Sequence, residues 1–373
     1  MRIRCTREEL YPVLSELAAL VEARPVIPIL GDILFEPEED GGTWQMIASD
    51  METELRSRMP FRITDTEAFT LPAKKLLDIC KELPADAAIE IDIKSGRATI
   101  KSTRSRFTLH GSDASDFPKM KTMNDPNCSA VVEAEAFLEA LKVCGAGMAS
   151  KDSRMYLNGV ALQCIPDGTV EMVGMNGHRL HRARITGEII VSPERLCPQI
   201  IVPRNAVLKL IRWLDRGSVR IAMDDRCLVV ETEKGAMSTQ LIDAAYPDVE
   251  RMIPKALDYR LRFSKADLEA SLNLSDTLND DDEKRTRLQI SREGMQVHSQ
   301  NTENETAEIV IPVEYPYSDG LRINLNSRYL LDMLKGITQK DVVMEFSDAR
   351  GGVVFHDPDS METLFVIMPI RSK

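Results

Sequence analysis

Apolar residues recur with helical spacing in three similar stretches of the chain. These stretches are LPAKKLLDICKEL (71–83), VPRNAVLKLIRWL (202–214) and LNSRYLLDMLKGI (325–337). In the first stretch, the i, i+3, i+4, i+7 pattern of a helix with one buried face is formed by Ala73, Leu76, Leu77, Cys80 and Leu83. One buried pattern used three times predicts one supersecondary unit used three times.

A second helix is predicted upstream of each of these stretches, over residues 4–22, 134–149 and 264–278. In the first of them Thr6 and Glu9 have the spacing of a capping box. Strand-like runs separate and follow the two helices; in the first unit they lie near 33–35, 43–49, 54–63, 88–93, 97–102 and 106–110. The order of helix, strands, helix and strands predicts an α+β fold of three similar domains with antiparallel sheets.

We expect the three domains to cover residues 1–122, 129–251 and 256–373. Linkers are expected near 119–128 and 252–259, after the closing prolines of the first two units. Three such domains in a row would leave a free sheet edge at each end, and free edges invite pairing with another chain. A homodimer that closes head to tail would pair both ends.

The exposed faces of the three repeated helices are more basic than the chain as a whole. The equivalent positions are Lys74, Asn205 and Arg328, then Asp78, Lys209 and Asp332, then Lys81, Arg212 and Lys335. They hold six basic and two acidic side chains, whereas the whole chain has a formal net charge of -12. A mixed solvated face is the alternative explanation, but the same bias in three copies favours a surface that faces a polyanion such as DNA.

The composition is that of a soluble globular protein, with 373 residues, 43% of them hydrophobic and 28% charged. No run of apolar residues is long enough for a membrane span, and the N-terminus has no secretion signal. The seven cysteines are scattered singly, as in reduced core positions. We therefore expect a cytoplasmic protein with no membrane partner.

Catalytic motifs are missing from the sequence. It contains no GxxxxGK[ST], HExxH or GxSxG motif, no GxGxxG between a strand and a helix, and no paired nucleophile and base. His178 and His181 have i, i+3 spacing without further metal ligands, and the acidic run 280–283 lacks the spacing of a calcium loop. We expect no catalytic residues, no metal site and no cofactor, and a hydrolase is disfavoured.

Six stretches, in order, give the whole chain a resemblance to the bacterial β sliding clamps, the beta subunits of DNA polymerase III. They are RPVIPILGDIL (24–34), TRSRFTL (103–109), DSRMYLNGV (152–160), NGHRL (176–180), YPDVERMIP (246–254) and VIMPIR (366–371). The resemblance implies a non-catalytic processivity factor with three clamp domains per chain, two chains forming a ring around duplex DNA. It also implies polymerase subunits, repair proteins and a separate clamp-loader ATPase as partners, bound through short linear motifs.

The resemblance and the basic helix faces together give the candidate DNA-binding residues. Six lie on the repeated helices, and three are added by resemblance alone. The full set is Arg24, Lys74, Lys81, Lys151, Tyr156, Lys209, Arg212, Arg328 and Lys335. Phosphate contacts from such side chains supply affinity without sequence specificity, as sliding requires.

The resemblance also implies a hydrophobic peptide pocket and a subunit interface. The implied pocket residues are Leu157, Met175, Gly177, His178, Arg179, Leu180, Pro247, Arg251, Met252, Val366, Met368, Pro369, Ile370 and Arg371. The implied interface residues are Arg104, Arg106, Phe107 and Leu109 of one chain, facing Thr277, Leu278, Glu303 and Glu305 of the other. The alternative for the apolar pocket residues is an ordinary core position. A repeat scaffold that binds peptides without any role on DNA also stays open at this point.

Overall fold

The computed structural model describes residues 2–22, 24–38, 43–59, 67–94, 96–121, 123, 125–191, 197–278, 284–317 and 320–371. The chain forms two compact units. The first comprises Met1–Val131, Ile190–Leu196 and Arg212–Leu241, and the second Val132–Ile189, Cys197–Ile211 and Ile242–Lys373. No helix within the described ranges has both the length and the apolar character needed to cross a membrane.

One order of elements occurs three times along the chain. The first repeat contains β1 (Arg2–Thr6), α1 (Arg7–Ala18), β2 (Asp32–Pro37), β3 (Trp44–Ser49), β4 (Thr53–Arg58), β5 (Phe69–Pro72), α2 (Ala73–Glu82), β6 (Ala88–Lys94), β7 (Arg97–Ser102) and β8 (Ser105–His110). The second contains β9 (Cys128–Glu133), α3 (Ala134–Gly147), β10 (Gly159–Ile165), β11 (Thr169–Met175), β12 (Arg179–Thr186), β13 (Glu188–Val191), β14 (Ile200–Pro203), α4 (Arg204–Trp213), β15 (Ser218–Met223), β16 (Cys227–Thr232) and β17 (Gly235–Gln240). The third contains β18 (Tyr259–Ser264), α5 (Lys265–Asp276), β19 (Arg285–Ser291), β20 (Gly294–Gln300), β21 (Thr306–Ile311), β22 (Leu321–Asn326), α6 (Ser327–Gly336), β23 (Asp341–Phe346), β24 (Val353–Asp357) and β25 (Ser360–Ile367).

The predicted helix at 4–22 is correct in place but wrong in extent. Residues 2–6 form a strand, because Ile3 and Cys5 alternate with exposed residues and are buried against the core. The helix begins at Arg7 and Thr6 is its N-cap; the Glu9 carboxylate accepts a 2.8 Å hydrogen bond from the Thr6 N–H and completes the predicted capping box. It ends at Ala18, before the first proline of the following loop.

The three repeated helices also start later than their patterns predict. Leu71, Val202 and Leu325 belong to the preceding strands, where each is buried and paired with a neighbouring strand. The helices occupy 73–82, 204–213 and 327–336 instead. The apolar pattern runs across each boundary because the last strand residue and the first helical turn contribute to the same core.

The described residues form four antiparallel sheets, and two of these run across the boundary between repeats. The nine-stranded sheet has the order β13-β9-β15-β16-β17-β4-β3-β2-β5, and the eight-stranded sheet has the order β14-β10-β11-β12-β25-β24-β23-β18. The four-stranded sheets are β1-β6-β7-β8 and β21-β20-β19-β22.

The same kind of strand pair joins the first repeat to the second and the second to the third. The joint is β4 with β17 in the first unit and β12 with β25 in the second. Leu55 lies opposite Met237 in the first joint, and His181 lies opposite Phe365 in the other. The corresponding strands β21 and β8 lie at the outer ends of the two four-stranded sheets.

The eight-stranded sheet has a helix-covered face and an opposite face. On the covered face α3 lies very close to β11: a Cβ on Gly174 would lie 1.8 Å from the Cys144 carbonyl oxygen, and one on Gly147 would lie 2.5 Å from the Gly174 carbonyl oxygen. Only glycines allow this approach. The opposite face carries an apolar cluster and is described next.

Candidate functional site

An apolar cluster on the second face of the eight-stranded sheet brings together residues from distant parts of the chain. Its buried members are Leu157, Ala161, Val173, Met175, Leu180, Val249, Val354, Leu364 and Val366. Partly buried Tyr156, Tyr246, Ile253 and Leu257 pack against it. Four residues of the predicted pocket are thus in one cluster: Leu157, Met175, Leu180 and Val366. We call this region the groove.

One wall of the groove is the segment 246–257, which we call the strap. The Tyr246 hydroxyl donates a 3.2 Å hydrogen bond to the Val173 carbonyl oxygen, and Val249 is buried in the cluster. Burial raises the pKa of Tyr246, so its hydroxyl stays protonated as the donor. The strap carries three predicted pocket residues, of which Pro247 is half-buried and Arg251 and Met252 are exposed at the rim.

The C-terminal tail forms a second wall. The Met368 N–H donates to the His178 carbonyl oxygen at 2.8 Å, and the Ile370 N–H donates to the Asn324 carbonyl oxygen at 2.8 Å. These bonds hold the tail between the β11–β12 turn and the edge strand β22. Met368 is 43% exposed, so its flexible side chain is available to a ligand. Pro369 and Ile370 are half-buried and Arg371 is exposed.

Three walls of the groove meet at Gly352, a residue that the predicted pocket omits. A Cβ on Gly352 would lie 3.0 Å from Val366 Cγ1, 3.3 Å from Pro254 Cγ and 3.4 Å from Met368 Sδ. The absence of a side chain at this point lets the strand, the strap and the tail pack closely together. The position carries no side chain, so the apolar pattern of the sequence gives no signal for it.

The turn between β11 and β12 contributes Gly177 and His178. Gly177 has a φ of +88°, and the Arg154 guanidinium lies 2.9 Å from where its Cβ would be. Any side chain here would be strained and would displace Arg154. Arg154 is itself paired with Asp152, and hydrogen bonds from Arg154 hold the pKa of Asp152 down to about 2. His178 is exposed at the rim.

Arg179 is the one predicted pocket residue that the structure places on the opposite face of the sheet. Its guanidinium lies 2.8 Å from Asp332 and stacks over the Tyr329 ring at 4.3 Å, and it also donates to the Ala146 carbonyl oxygen. Burial alone would raise the pKa of Asp332, but hydrogen bonds from Arg179 and Lys335 outweigh it and hold that pKa below its ordinary value. Arg179 ties β12 to α6 and does not line the groove.

Most of the candidate DNA-binding cations are exposed. Those on the helices are Lys74 and Lys81 on α2, Arg212 on α4, and Arg328 and Lys335 on α6, while Lys209 is half-buried. Arg24 and Lys151 are exposed in the loops that precede the short 3-10 turns at 28–31 and 155–157. Lys335 lies 3.0 Å from Asp332, so its charge is partly neutralised within its own helix.

Tyr156, the remaining candidate DNA-binding residue, is half-buried and does not share the exposure of these cations. Its ring packs against the groove cluster and lies 6.2 Å from the Tyr246 ring, edge to face. Its neighbour Met155 is 62% exposed in its place. The structure therefore assigns Tyr156 to the wall of the groove.

The predicted interface residues are only partly exposed at the two free sheet edges. Phe107 on β8 is 37% exposed, and Arg104 and Arg106 are exposed beside it, whereas Leu109 is buried. The Thr277 hydroxyl is bonded to its own helix, through the Leu274 carbonyl oxygen at 2.7 Å, and Leu278 is half-buried.

The exposed apolar residues near the third-repeat edge are Leu274 on α5 and Val310 on β21, both 61% exposed. Sequence reasoning missed both. The signal was available for Val310, because it alternates with the buried Ile311 along β21. The Glu305 carboxylate accepts a 2.7 Å hydrogen bond from the Asn301 side-chain amide. The Glu303 N–H donates to the Asn301 side-chain oxygen at 3.0 Å, so both glutamates help to shape the β20–β21 turn.

The sequence raised two other features, a histidine pair and an acidic run. His181 is fully buried on the helix face, where its Nδ1 lies 2.9 Å from the Val143 carbonyl oxygen. It is therefore on the other side of the sheet from the exposed rim that holds His178. The acidic run 280–283 lies outside the described residues.

Comparisons with known proteins agree over the whole chain. Three family models match in order: the N-terminal domain of the DNA polymerase III beta subunit over residues 1–121, its central domain over 131–248 and its C-terminal domain over 250–371. The chain is 32% identical to the beta sliding clamp of Pseudomonas aeruginosa and 28% identical to that of Escherichia coli K12, with both chains fully covered in each case.

Solved structures give the same result. A crystal structure of the DNA polymerase III subunit beta from P. aeruginosa matches with a TM-score of 0.92 at 30% identity, covering all of both chains. A sliding clamp of the same species bound to griselimycin matches with a TM-score of 0.93 at 30% identity, again over both full chains. The chain therefore belongs to the DNA polymerase III beta-subunit family, the sliding clamps, which are the non-catalytic processivity subunits of that polymerase.

Proposed function

We propose that two copies of this chain close head to tail into a ring around duplex DNA, and that the groove tethers DNA polymerase subunits to the ring. The observation that carries the proposal is the repeated sheet joint. The fourth strand of one repeat pairs with the last strand of the next repeat, and this happens twice within the chain. The remaining strands of this kind, β21 and β8, can complete the pattern only with a second copy.

The two internal joints predict the register of the third. Ala48, Gly174 and Ser299 are equivalent positions, because each lies two residues before the side chain that caps the following turn, namely Asp50, Asn176 and Asn301. Their partners on the next strand are Leu55, His181 and Ala307. On the other side of the joint, Met237, Phe365 and Phe107 are equivalent, because they pair with Val230, Phe355 and Ile100. Phe107 is therefore expected opposite Ala307 of the second copy, and Arg106 opposite Glu308.

This register gives the interface an apolar and an ionic component. The exposed side chains of Phe107, Leu274 and Val310 would be removed from water. Arg106 would lie directly opposite Glu308. Glu308 is thus a better partner for Arg106 than Glu303 or Glu305, and such a partly exposed pair adds about 0–1 kcal/mol.

The helices α2, α4 and α6 supply the DNA-facing surface in this proposal. Mobile lysine and arginine side chains on their exposed faces contact phosphates and carry no sequence information, so the ring can slide. The acidic balance of the chain as a whole, net -12, disfavours binding of DNA to its other surfaces.

The groove is proposed as the docking site for short linear motifs of polymerases and repair proteins. Its apolar floor and adaptable methionine rim suit an extended peptide with a few apolar anchors. A tether of this kind raises the effective concentration of the polymerase at the DNA, which accounts for processivity without catalysis. No phosphate-binding loop occurs in the sequence, so ring opening is assigned to a separate ATP-driven loader.

Two solution experiments test the proposal. Analytical ultracentrifugation at micromolar concentration should give about twice the mass of one chain, and a monomer would contradict the ring. Griselimycin, which is bound in the P. aeruginosa clamp structure, should bind the wild-type protein. Met368→Ala combined with deletion of residues 369–373 should abolish that binding and leave the dimer intact; loss of the dimer instead would show that the tail has another role.

A further inference from the structure

The first and second repeats hold the segment that follows their last strand in different ways. Leu55 and His181 are equivalent positions, because each lies opposite the strand that completes its joint. Their neighbours in sequence are then equivalent as well. This makes Glu54 the counterpart of Leu180, and Arg56 the counterpart of Arg182.

In the first repeat the fastening is a buried carboxylate. The Glu54 side chain is fully buried; one oxygen accepts a 2.8 Å hydrogen bond from the Met120 N–H, and the other accepts a 2.7 Å bond from Arg56. The backbone of the following segment is thereby bound directly to the sheet. Apolar Phe117 of the same segment packs onto the sheet beside it.

In the second repeat Leu180 takes the place of the carboxylate and lies in the floor of the groove. The equivalent arginine, Arg182, bonds to the strap instead: its guanidinium lies 3.0 Å from the Glu250 carboxylate. Arg184 approaches the same Glu250 oxygen at 3.4 Å and lies 2.6 Å from Glu171. Two long side chains of β12 thus fasten the strap at Glu250, in addition to the bond from Tyr246 to the sheet.

Because Arg182 is buried, its guanidinium requires a carboxylate partner. The Arg182 side chain is 7% exposed, and burial followed by the charge of Arg184 lowers its pKa, while Glu171 and Glu250 act in the opposite sense. A buried guanidinium without a carboxylate partner is strongly unfavourable. Glu250, whose side chain is 58% exposed, is the carboxylate that the buried Arg182 meets on the strap. The Glu250 end is also ordered locally, because the Asp248 side chain accepts a 3.1 Å hydrogen bond from the Glu250 N–H.

We propose that Arg182 and Glu250 form a positioning pair that holds the strap at the side of the groove, so that the groove is open and preformed before a peptide arrives. The inference rests on the proposed function of the groove as a peptide site. Replacing Glu54 of the first repeat by Leu180 creates the apolar floor, and the pair supplies the fastening that the carboxylate would otherwise give. A strap that is ordered beforehand does not have to be ordered on binding, and this strengthens affinity.

The test is Glu250→Gln, which removes the charge and keeps the shape. Calorimetric titration with griselimycin should show binding about tenfold weaker than in the wild type, a change of about 1.4 kcal/mol. Hydrogen exchange of the unbound protein should become faster at the amides of 249–252 and stay unchanged in β10, β11 and β25. Glu231→Gln is the matched control. It removes an exposed pair with Arg220 at 3.1 Å, which lies on the nine-stranded sheet and not on the sheet of the groove.

A second variant separates positioning from general destabilisation. Arg182→Met in the Glu250→Gln background removes the unpaired buried charge, so we expect tighter griselimycin binding than in the single variant. Wild-type affinity and exchange in Glu250→Gln would overturn the inference, and so would faster exchange spread evenly over the sheet. Failure of the wild-type protein to bind griselimycin would instead remove the proposed function of the groove, while strap exchange would still decide whether the pair orders the strap.

Discussion

At the residue scale, the close packing at Gly352 gives a sharp test of the groove. A valine at this position would place its Cβ 3.0–3.4 Å from atoms of Val366, Pro254 and Met368. We expect Gly352→Val to displace the strap and the tail and to weaken griselimycin binding about tenfold, or about 1.4 kcal/mol, measured by calorimetry.

The adjacent glycine is the natural control for this change. A Cβ on Gly351 would meet only the Asp348 carboxylate within 4 Å, at 3.5 Å. Gly351→Val should therefore bind griselimycin like the wild type. An equal loss of griselimycin affinity in both variants would mean that the loop as a whole is affected, and not the packing at Gly352.

His181 predicts how stability depends on pH. Burial, together with the charge of Arg179 acting in the same direction, lowers the pKa of His181 from its ordinary 6.5 to about 4. The folded state therefore favours the neutral ring, whose contribution is complete above pH 6.5 and is lost as the pH falls towards 4. The shift corresponds to about 3 kcal/mol at the acid end.

We expect His181→Leu to flatten the decline in unfolding free energy between pH 6.5 and 4, measured by urea denaturation. The exposed His178 is the control, and His178→Leu should keep the wild-type slope. A wild-type stability that is constant over this range would contradict the assignment of His181 as a buried neutral ring.

Sequence reasoning at this scale found the floor of the groove but misplaced some neighbours. Leu180 and Arg179 are consecutive in β12, so they point to opposite faces, and only Leu180 reaches the groove. The period of two would have shown this once the strand was assigned. The close packing at Gly352 and the Arg182–Glu250 pair depend on contacts between distant segments, for which one sequence gives no local signal.

At the element scale, the end of α5 offers two candidate interface residues: Thr277, which the sequence predicts, and Leu274, which the structure exposes. Leu274 is 61% exposed, whereas the Thr277 hydroxyl is bonded to its own helix. We expect Leu274→Asp to shift the ultracentrifugation profile to monomer, because a charge would be buried at the joint. Thr277→Asp should stay dimeric; the reverse pattern would favour the sequence-based choice of Thr277.

The helix faces predict unequal roles for two lysines. Lys74 on α2 is exposed, while Lys335 on α6 lies 3.0 Å from Asp332. We expect Lys74→Gln to lower the slope of log affinity against log salt for duplex DNA by about 0.9, and Lys335→Gln to lower it less. Fluorescence anisotropy over a salt series measures both slopes. A larger effect at Lys335 would place the DNA contact elsewhere on the helices.

The helices themselves were predictable, but their boundaries were not. The buried stripes of α2, α4 and α6 are strong periodic signals. The strands β1, β5, β14 and β22, which run directly into helices, were missed because their apolar residues continue the helical pattern into the same core. The change from strand to helix is fixed by capping, as at Thr6, and by pairing with strands far away in sequence.

At the scale of the whole molecule, the threefold repeat could be derived from the sequence, and the joints between repeats could not. Three helical patterns in one register were enough for the repeat. Which strands pair across the repeats, and in which register, depends on long-range contacts such as Leu55 with Met237. Once two joints are known, the third follows by equivalence, and this is the basis of the proposed ring.

The most direct test of the ring combines its closure with its hold on DNA. Arg106→Cys with Glu308→Cys should form a disulfide between two copies, because directly opposite residues have Cβ atoms about 4.5–5.5 Å apart. The diagonal combination of Thr108→Cys with Glu308→Cys should cross-link poorly, since Cα atoms more than about 7 Å apart cannot be bridged without backbone movement. The first variant is loaded onto nicked circular DNA by a clamp loader, oxidised, and followed by gel filtration before and after the circle is cut. The account predicts that the cross-linked ring stays with the circle in high salt and leaves once the DNA is linear; equal retention on both forms would contradict encirclement.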